Sequence, residues 1–265
     1  TLLRFLDFIE YYLSYFDEKN HVSTIELRYS KKYGYHYVLR LHLLDPSISA
    51  TKIFGDVKAA VLMSGSLHPL EYYRITLALS EPGIYERTYT AVLPSPFPKD
   101  SLRVLVDLTL TSKFEERTQE MFDRYARKIE VISRALPHDK AILVLFPSYS
   151  LQRTIVERIN IDDREKIIEH RQTKISEVLS FLKEHKNAII FSVAGGKLAE
   201  GIDYRIHGKT ILQSVIVAGL PFPEYNVILR RKQEYYEEKF GDRQVAVFLT
   251  SIAPMIRAII QAAGR

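Results

Sequence analysis

Glycine-rich and charged residues follow one of the apolar runs of the 265-residue chain. After residues 188–193 comes Ala194-Gly195-Gly196-Lys197, and Gly201 and Asp203 lie a few residues further on. Paired glycines let backbone amides approach a phosphate, Lys197 adds positive charge, and Asp203 can accept a hydrogen bond from a hydroxyl or hold a basic partner. An ordinary glycine turn with solvated charges has the same residues, so the chemistry leaves both interpretations open.

Two other turns carry hydroxyl groups. Ser64 and Gly65 follow the run 59–63 and could relay a change in hydrogen bonding, although any turn before a proline uses such residues. Ser148 and Tyr149 follow the run 141–146, where Ser148 or Ser150 is expected to cap a helix. Hydroxyls at such a helix start can also hold a phosphate.

Basic groups recur at two further places. Lys113 and Arg117 flank Phe114, a mixture of charge and aromatic rings found in single-strand binders and also on ordinary solvated faces. On the predicted closing helix, Ile252–Gln261, a spacing of 100° per residue sets the apolar side chains opposite a polar stripe. That stripe consists of Arg257, Gln261 and Arg265. Guanidinium groups on a rigid helix suit phosphate recognition, and a solvated helix face is the alternative.

The sequence contains no cradle for a nucleoside triphosphate. Gly208-Lys209-Thr210 ends like a phosphate-binding loop, but the required glycine five residues earlier is Asp203, and a strand is expected to follow. The pattern GxxxxGK[ST] occurs nowhere else in the chain.

Composition limits the remaining classes of function. The chain has no cysteine, which excludes thiol chemistry and cysteine-ligated clusters within it, and its eight histidines are scattered, so no metal site is predicted. The net charge of +5 fits a polyanionic partner. No run approaches the roughly 18 apolar residues of a membrane span, so we expect no membrane partner and a cytoplasmic location. The scarcity of Asn and Cys resembles a thermophile's composition.

The order of the apolar runs predicts the fold. Residues 2–16 are expected to form a helix, followed by antiparallel strands at 24–29 and 36–42. Strands and helices then alternate, which predicts an α/β fold with a parallel sheet covered by helices on both faces. The predicted strands are 59–64, 103–109, 141–146, 188–193, 211–218 and 245–250, and the predicted helices are 115–135, 150–159, 176–185, 226–240 and 252–261. The proline-rich residues 94–98 indicate a linker.

Taken in order, these turns resemble the later motifs of the XPD family, the DinG/XPD-type superfamily 2 DNA helicases. The matching segments are 61–70 (VLMSGSLHPL, motif III), 112–117 (SKFEER), 145–149 (LFPSY, motif IV), 192–204 (SVAGGKLAEGIDY, motif V) and 261–265 (QAAGR, start of motif VI). The departures from the usual motifs are Ser66, His68 and Tyr204.

The resemblance implies a division of the chain. Residues 1–45 would end an arch insertion and return to the first motor domain, and residues 46–95 would complete that domain. Residues 96–265 would form a second RecA-like motor domain. The Walker A and DEAH motifs and a four-cysteine 4Fe-4S cluster would lie upstream of a chain that looks cut at both ends. This segment alone would then not hydrolyse ATP.

The resemblance also implies a role for each matching residue. ATP and Mg²⁺ would bind between the two motor domains, and closure would drive 5′ to 3′ movement on single-stranded DNA. The residues that contact the nucleotide would be Gly201, Asp203, Gln261 and Arg265, of which Gln261 and Arg265 would act in catalysis. Ser64 and Gly65 would couple the state of the nucleotide to DNA. The residues that contact DNA would be Lys113, Arg117, Ser148, Tyr149 and Lys197. Repair proteins are expected partners. A non-catalytic binding module of the same fold is the alternative, and a glycosyltransferase-like enzyme would make the motif order a coincidence.

Overall fold

A computed structural model of the chain describes residues 2–199 and 202–264. Two of the predicted site residues, Gly201 and Arg265, lie outside the described residues. The elements before the sheet are, in chain order, α1 (Leu2–Tyr15), β1 (His21–Ser30), β2 (Gly34–Leu43), α2 (Ser47–Asp56), α3 (Leu70–Thr76) and α4 (Gln119–Ala135).

The remaining elements alternate between strand and helix. They are β3 (Ala141–Phe146), α5 (Tyr149–Val156), β4 (Lys166–Ile168), α6 (Ile175–Glu184), β5 (Ile189–Val193), β6 (Arg205–Ile206), β7 (Lys209–Thr210), β8 (Leu212–Val217), α7 (Val227–Phe240), α8 (Arg243–Val247), a π-helical turn (Phe248–Ile252) and α9 (Ala253–Ala263). Single 3₁₀ turns occur at Tyr85–Arg87, Lys99–Ser101 and Phe114–Glu116.

A parallel sheet in the order β4-β5-β3-β8 forms the main core. Every residue of β3 is buried, as expected for a strand covered on both faces. On one face Val144 packs with Ile129 of α4 and Ile155 of α5. On the other face Leu143 packs with Leu182 of α6 and with Ala262 of α9, so the predicted α/β fold with helices on both faces is confirmed.

Two compact units make up the chain. One consists of Thr1–Thr90 and Pro223–Pro254, and the other of Ala91–Phe222 and Met255–Arg265. The parallel sheet belongs to the second unit. These units describe packing within the chain, and the assignment of residues 1–45, 46–95 and 96–265 to parts of two motor domains stays a prediction.

A buried carboxylate joins distant parts of the first unit. Asp45 is fully buried, and its oxygens accept hydrogen bonds from Lys239 Nζ at 2.9 Å and from the Tyr235 and Tyr236 hydroxyls at 3.1 and 3.2 Å. The backbone N–H of Ser47, the first residue of α2, also donates to it at 2.9 Å. Burial raises the pKa of Asp45, but the hydrogen bonds from Lys239 and Ser47 outweigh burial and hold the pKa below its usual range.

Three predicted strands are wrong. Residues 245–250 are helical, because Ala246 and Leu249 share a helix face that packs against Tyr236 of α7, and a short apolar run does not distinguish strand from helix. Residues 59–64 and 103–109 run without strand pairing to any described residue. Their apolar side chains face solvent, with Val61 85% and Leu105 79% exposed.

Several elements of the structure are absent from the sequence prediction. The short strand β4 and the helices α2 and α3 had no clear periodic signal. Strands β6 and β7 form a hairpin whose turn contains His207 and Gly208 at φ of 50° and 74°. Gly208-Lys209-Thr210 therefore runs from a hairpin turn into β7 and does not lie between a strand and a helix.

The expectation about apolar runs also needs correction. Arg243–Ala263 is a continuous helical stretch of 21 residues that is long and apolar enough to cross a membrane, by length and composition only. In the sequence the polar residues Thr250 and Arg257 interrupt the apolar run, so this stretch was not recognised. Core helices pass the same test, and here Leu249 packs against α7 and Ala262 against the sheet, so the stretch is weak evidence for a membrane span.

Candidate functional site

The loops at the carboxyl edge of the parallel sheet hold most of the predicted binding residues. All four strands end at this edge, where ligands of open α/β sheets gather. Glu169 follows β4, Ala194 follows β5, Pro147 follows β3 and Ala218 follows β8. Because the four strands run in the same direction, four loops that are far apart in sequence lie at this edge.

Ser148, one of the two serines that the sequence offered as a cap, is the N-cap of α5. Its side-chain oxygen accepts a hydrogen bond from the backbone N–H of Leu151 at 3.3 Å. The hydroxyl can still donate, because capping uses it only as an acceptor. Tyr149 is half-buried, and burial raises the pKa of its hydroxyl, as does the negative charge of the neighbouring Glu169 carboxylate.

The glycine-rich loop after β5 is fastened to Glu169. The Glu169 carboxylate is fully buried and accepts hydrogen bonds from the Ser192 hydroxyl at 2.5 Å and from the backbone N–H of Lys197 at 2.8 Å. Gly196 makes room for this carboxylate, since a Cβ there would lie 2.7 Å from Glu169 Oε2 and 2.8 Å from the Val193 carbonyl oxygen. Close approach of a side chain, not a left-handed backbone, thus requires glycine at position 196.

The same loop uses its polar groups internally. The backbone N–H of Gly196 donates to the Val193 carbonyl at 2.8 Å, and the Lys197 amide is taken by Glu169. The Lys197 ammonium donates to the carbonyl oxygens of Arg171 and Thr173 at 3.0 and 3.1 Å. These two amides are therefore not offered to a phosphate, and Lys197 ties the loop after β5 to the loop after β4.

The Lys113 to Arg117 segment crosses the same edge. Arg117 is half-buried, and its Nε and one terminal nitrogen donate to the Ser112 carbonyl at 3.1 and 3.0 Å. The Ser112 hydroxyl oxygen accepts a hydrogen bond from the Leu220 N–H at 3.2 Å. A Cβ on Gly219, whose φ is +105°, would lie 2.8 Å from Ser112 Cβ and 3.1 Å from Pro147. The segment is thus packed onto the loops after β8 and β3.

Lys113 is a highly exposed residue among the predicted DNA contacts. Its side chain is 74% exposed and its ammonium lies 3.3 Å from Glu116, a surface ion pair that holds it weakly. The structure therefore brings Lys113, Arg117 and Ser148 to one edge, next to the Glu169-anchored loop of Lys197. Exposed His170 and Arg171 add potential positive charge at that edge.

The predicted nucleotide residues are only partly described. Asp203 is 74% exposed and its carboxylate lies 3.6 Å from Arg205 Nε. Gln261 lies half-exposed on α9, one residue before buried Ala262. The expected outward polar stripe is not clear on this helix, because Arg257 is half-buried and its Nε is shielded from solvent.

The predicted coupling residues lie in the other compact unit. Ser64 and Gly65 are exposed, and the Ser64 side-chain oxygen accepts a hydrogen bond from the Ser66 N–H at 3.2 Å.

Within residues 2–199 and 202–264, no group of three or more His, Cys, Asp or Glu side chains could hold a metal ion.

Glu169 is the site residue that the sequence analysis missed. It follows β4, a strand of three residues flanked by Glu165 and Glu169 that resembles a loop in the sequence. One signal could have revealed it. In an α/β pattern a strand must return to the sheet between two helices, and this carboxylate lies between two predicted helices.

Comparisons with known proteins agree with the fold and the motifs. A family model described as "Helicase C-terminal domain" matches residues 129–265. The chain is 28% identical over 234 residues to "ATP-dependent DNA helicase XPD" of Sulfolobus acidocaldarius, covering 87% of this chain and 41% of that protein. It is 26% identical to "ATP-dependent DNA helicase CHL1" of Coccidioides immitis, covering 80% of this chain and 27% of that protein.

Two solved structures share the fold. A structure titled "XPD_Helicase" gives a TM-score of 0.67 with 22% identity, covering 100% of this chain and 43% of that one. A second, "XPD_APO", gives a TM-score of 0.67 with 21% identity, covering 99% and 49%. The chain therefore spans less than half the length of these relatives, and they are of the kind that the ordered motifs predicted.

Proposed function

The chain belongs to the family of helicase C-terminal domains, and on that premise we propose that it forms part of an ATP-dependent DNA helicase of the XPD type. Its parallel sheet would be the second motor domain, with single-stranded DNA running across the carboxyl edge. The first motor domain would be another part of the same polypeptide. Movement along the DNA would have 5′ to 3′ polarity and would serve DNA repair.

One observation carries the proposal. The packing of Ser112 against the loops after β3 and β8 brings Lys113 and Arg117 to the edge where Ser148 caps α5. A mobile ammonium, a fixed guanidinium and a hydroxyl able to donate are the groups that proteins use to hold a DNA backbone. Phosphate contacts of this kind make binding sensitive to salt and indifferent to base sequence.

The internal hydrogen bonds divide the predicted DNA residues into two groups. Lys113 and Ser148 have groups available to a phosphate, so we assign them direct contacts. Lys197 is bonded to Glu169 and to the Arg171 and Thr173 carbonyls, and Tyr149 is half-buried beside Glu169. We assign these two mainly the task of holding the loops in place, and Arg117 combines both tasks because its guanidinium braces the turn that presents Lys113.

The described residues fit one wall of a nucleotide site. Asp203 offers an exposed carboxylate for a ribose hydroxyl or a facing base, and Gln261 offers an amide for a phosphate or water. We propose that Gly201 and Arg265 complete this wall, with Arg265 stabilising the charge of phosphoryl transfer. ATP supplies the free energy for movement when it is bound; the phosphate cradle would be supplied by the first motor domain.

The metal-containing groups of the family would be held elsewhere. Mg²⁺ prefers oxygen ligands and would be held by the ATP phosphates and carboxylates of the first motor domain, in keeping with the lack of an acidic cluster among the described residues. A 4Fe-4S cluster needs cysteine ligands, and this chain has none. We therefore propose no step that uses either group within this chain, and we propose a cytoplasmic, or in a eukaryote nuclear, setting.

A strand-separation experiment tests the proposal. The full-length polypeptide should unwind a duplex with a 5′ single-stranded tail in the presence of ATP and Mg²⁺, and should leave a 3′-tailed duplex intact. The 265-residue chain alone should bind oligo-dT without hydrolysing ATP. A full-length polypeptide that binds oligo-dT but neither hydrolyses ATP nor unwinds DNA would instead support a non-catalytic binding module.

A further inference from the structure

The β1–β2 hairpin presents an apolar face to solvent. Its antiparallel register places three pairs of apolar or aromatic side chains directly opposite each other. The pairs are Ile25 with Leu39, Leu27 with Tyr37, and Tyr29 with Tyr35. All six residues are between 44% and 77% exposed. A contiguous exposed patch of this kind on a soluble protein marks an interaction site.

Aromatic rings dominate the outer half of this face. The rings of Tyr29 and Tyr35 lie 5.2 Å apart, and Tyr37 is on the same face two residues beyond Tyr35. Since a strand advances about 3.4 Å per residue, Tyr35 and Tyr37 are about 7 Å apart along the strand. At the hairpin tip the Lys32 ammonium lies 5.0 Å from the centre of the Tyr33 ring.

The hairpin is also strongly basic. Residues 21–43 contain four basic residues, Arg28, Lys31, Lys32 and Arg40, and a single acidic one, Glu26. Its formal charge is therefore +3, out of +5 for the whole chain.

The single acid does not neutralise the tip. The Glu26 carboxylate lies 3.0 Å from Arg28 and 3.2 Å from Arg40. Glu26 alternates along the strand with the apolar residues Ile25 and Leu27, so these ion pairs start from the opposite face of the ribbon. Among the described residues no acidic side chain pairs with Lys31 or Lys32, so the tip keeps its positive charge beside the tyrosines.

We propose that this hairpin face is a second binding site for single-stranded DNA. Bases would stack on Tyr29, Tyr35 and Tyr37 while phosphates approach Lys31 and Lys32 at the tip. Clustered rings beside basic side chains are how proteins bind single strands without sequence preference. An aliphatic protein segment would cover Ile25 and Leu27 equally well but would gain nothing from the positive tip. The choice of DNA as ligand rests on the proposed function.

Substitution of the tyrosines tests the inference. Binding of a fluorescently labelled oligo-dT to the 265-residue chain would be measured by anisotropy at one low salt concentration. Tyr35→Ala and Tyr37→Ala should each weaken binding about fivefold or more, which is the low end of the effect of removing one stacking ring. Tyr37→Phe should bind like the wild type. The matched control is Tyr89→Ala, because Tyr89 is 91% exposed and lies outside the hairpin.

Replacement by leucine separates stacking from apolar packing. Tyr37→Leu keeps the apolar character but has no ring, so it should bind DNA as poorly as Tyr37→Ala. Unchanged DNA affinity of both Tyr37→Leu and Tyr37→Ala would overturn the inference and would favour a protein segment as the occupant. If Tyr37→Leu binds DNA like the wild type while Tyr37→Ala binds DNA weakly, the affinity does not come from ring stacking, and the inference is also overturned.

Photo-cross-linking of the unmodified chain covers the case in which a variant does not fold. An oligonucleotide carrying 5-iododeoxyuridine should cross-link to the peptide that contains residues 29–37. Cross-links confined to the region 112–149 would overturn the hairpin site and leave the proposed function standing. A wild-type chain without measurable affinity for oligo-dT would overturn the DNA role of both sites.

Discussion

The Glu169 carboxylate accepts a hydrogen bond from the backbone N–H of Lys197 at 2.8 Å. This bond joins the end of β4 to the glycine-rich loop after β5. Because Glu169 also accepts from the Ser192 hydroxyl and is fully buried, the loop has little freedom to move away from the sheet edge. The DNA edge that we propose is thus held in shape by a residue that would not itself touch DNA.

Removing this carboxylate should loosen the edge. Glu169→Ala leaves the Ser192 hydroxyl and the Lys197 amide without their acceptor. A buried polar group that loses its partner costs about 1–3 kcal/mol, so the loss of both bonds should lower the free energy of unfolding, measured with urea, by about 2–6 kcal/mol. Glu169→Gln keeps one carbonyl acceptor and should lose less. The control is Glu165→Gln, because Glu165 is exposed just before β4; equal losses at both positions would contradict the anchoring role.

A methyl group at position 196 should act on the same contact from the other side. Gly196→Ala would place a Cβ 2.8 Å from the Val193 carbonyl oxygen, which belongs to the backbone of the sheet edge and cannot easily move. We expect lower stability and weaker oligo-dT binding. Gly55→Ala is the control, since no atom lies within 4 Å of its added Cβ and alanine favours the helix α2. Wild-type DNA affinity of Gly196→Ala would show that the loop does not need this shape.

A phosphate contact at Lys113 should appear in the salt dependence of binding. For single strands the slope of log K against log salt is about −0.7 for each phosphate neutralised, so Lys113→Ala should make the slope about 0.7 less steep. Oligo-dT binding measured at several salt concentrations gives this value.

The control for Lys113 is an exposed lysine at the opposite edge of the sheet. Lys183 lies in the last turn of α6, which leads into the amino end of β5. Lys183→Ala should leave the slope unchanged. Identical slopes for the wild type and Lys113→Ala would remove Lys113 from the DNA contacts, whatever the affinity of the variant.

Asp45 should make stability depend on pH. Because the pKa of Asp45 in the folded chain lies below its ordinary value of about 3.9, its contribution is complete above that value and is lost as the pH falls through the folded pKa. At pH 7, Asp45→Asn should be less stable by about 3 kcal/mol, the low end of the cost of breaking a buried ion pair, because Lys239 loses its buried partner.

Urea unfolding between pH 7 and pH 3 checks this prediction. The difference between the wild type and Asp45→Asn should shrink as the pH approaches 3, since below about 3.9 the unfolded carboxylate takes up a proton that the folded one resists. Asp56→Asn is the matched control, because Asp56 is exposed at the end of α2. A difference between wild type and Asp45→Asn that stays constant over this pH range would mean that the charge of Asp45 contributes nothing.

The sequence was sufficient to predict the strands of the sheet that are completely buried. Residues 141–146 were predicted residue for residue because a run of six apolar side chains between helices is typical of a parallel central strand. The run 245–250 has a similar composition but is helical, since its environment and not its composition decides the outcome. Strand β4 was missed because three residues are too few to show a period.

The candidate site was predictable in position but not in detail. A serine cap at Ser148 or Ser150 follows from residue type and position, and the structure identifies Ser148 as the cap. The internal bonds of Lys197 could not be predicted, because its partners at 171 and 173 come from a loop about 25 residues earlier whose path depends on β4. A sequence motif identifies residues that lie together in the fold. The packing around them determines which of their polar atoms remain available to bind a ligand.

The central claim is that this chain supplies one wall of the ATP site of a DNA-stimulated motor. Its most direct test is the rate of ATP hydrolysis by the full-length polypeptide, with and without oligo-dT, for the wild type and for Arg265→Ala, with the exposed Arg243→Ala as control. Loss of an arginine that stabilises phosphoryl transfer costs on the order of 10³-fold or more in rate. We expect Arg265→Ala to lose DNA-stimulated hydrolysis while its affinity for oligo-dT stays within about twofold of wild type. DNA-stimulated hydrolysis at the wild-type rate in Arg265→Ala would contradict the account.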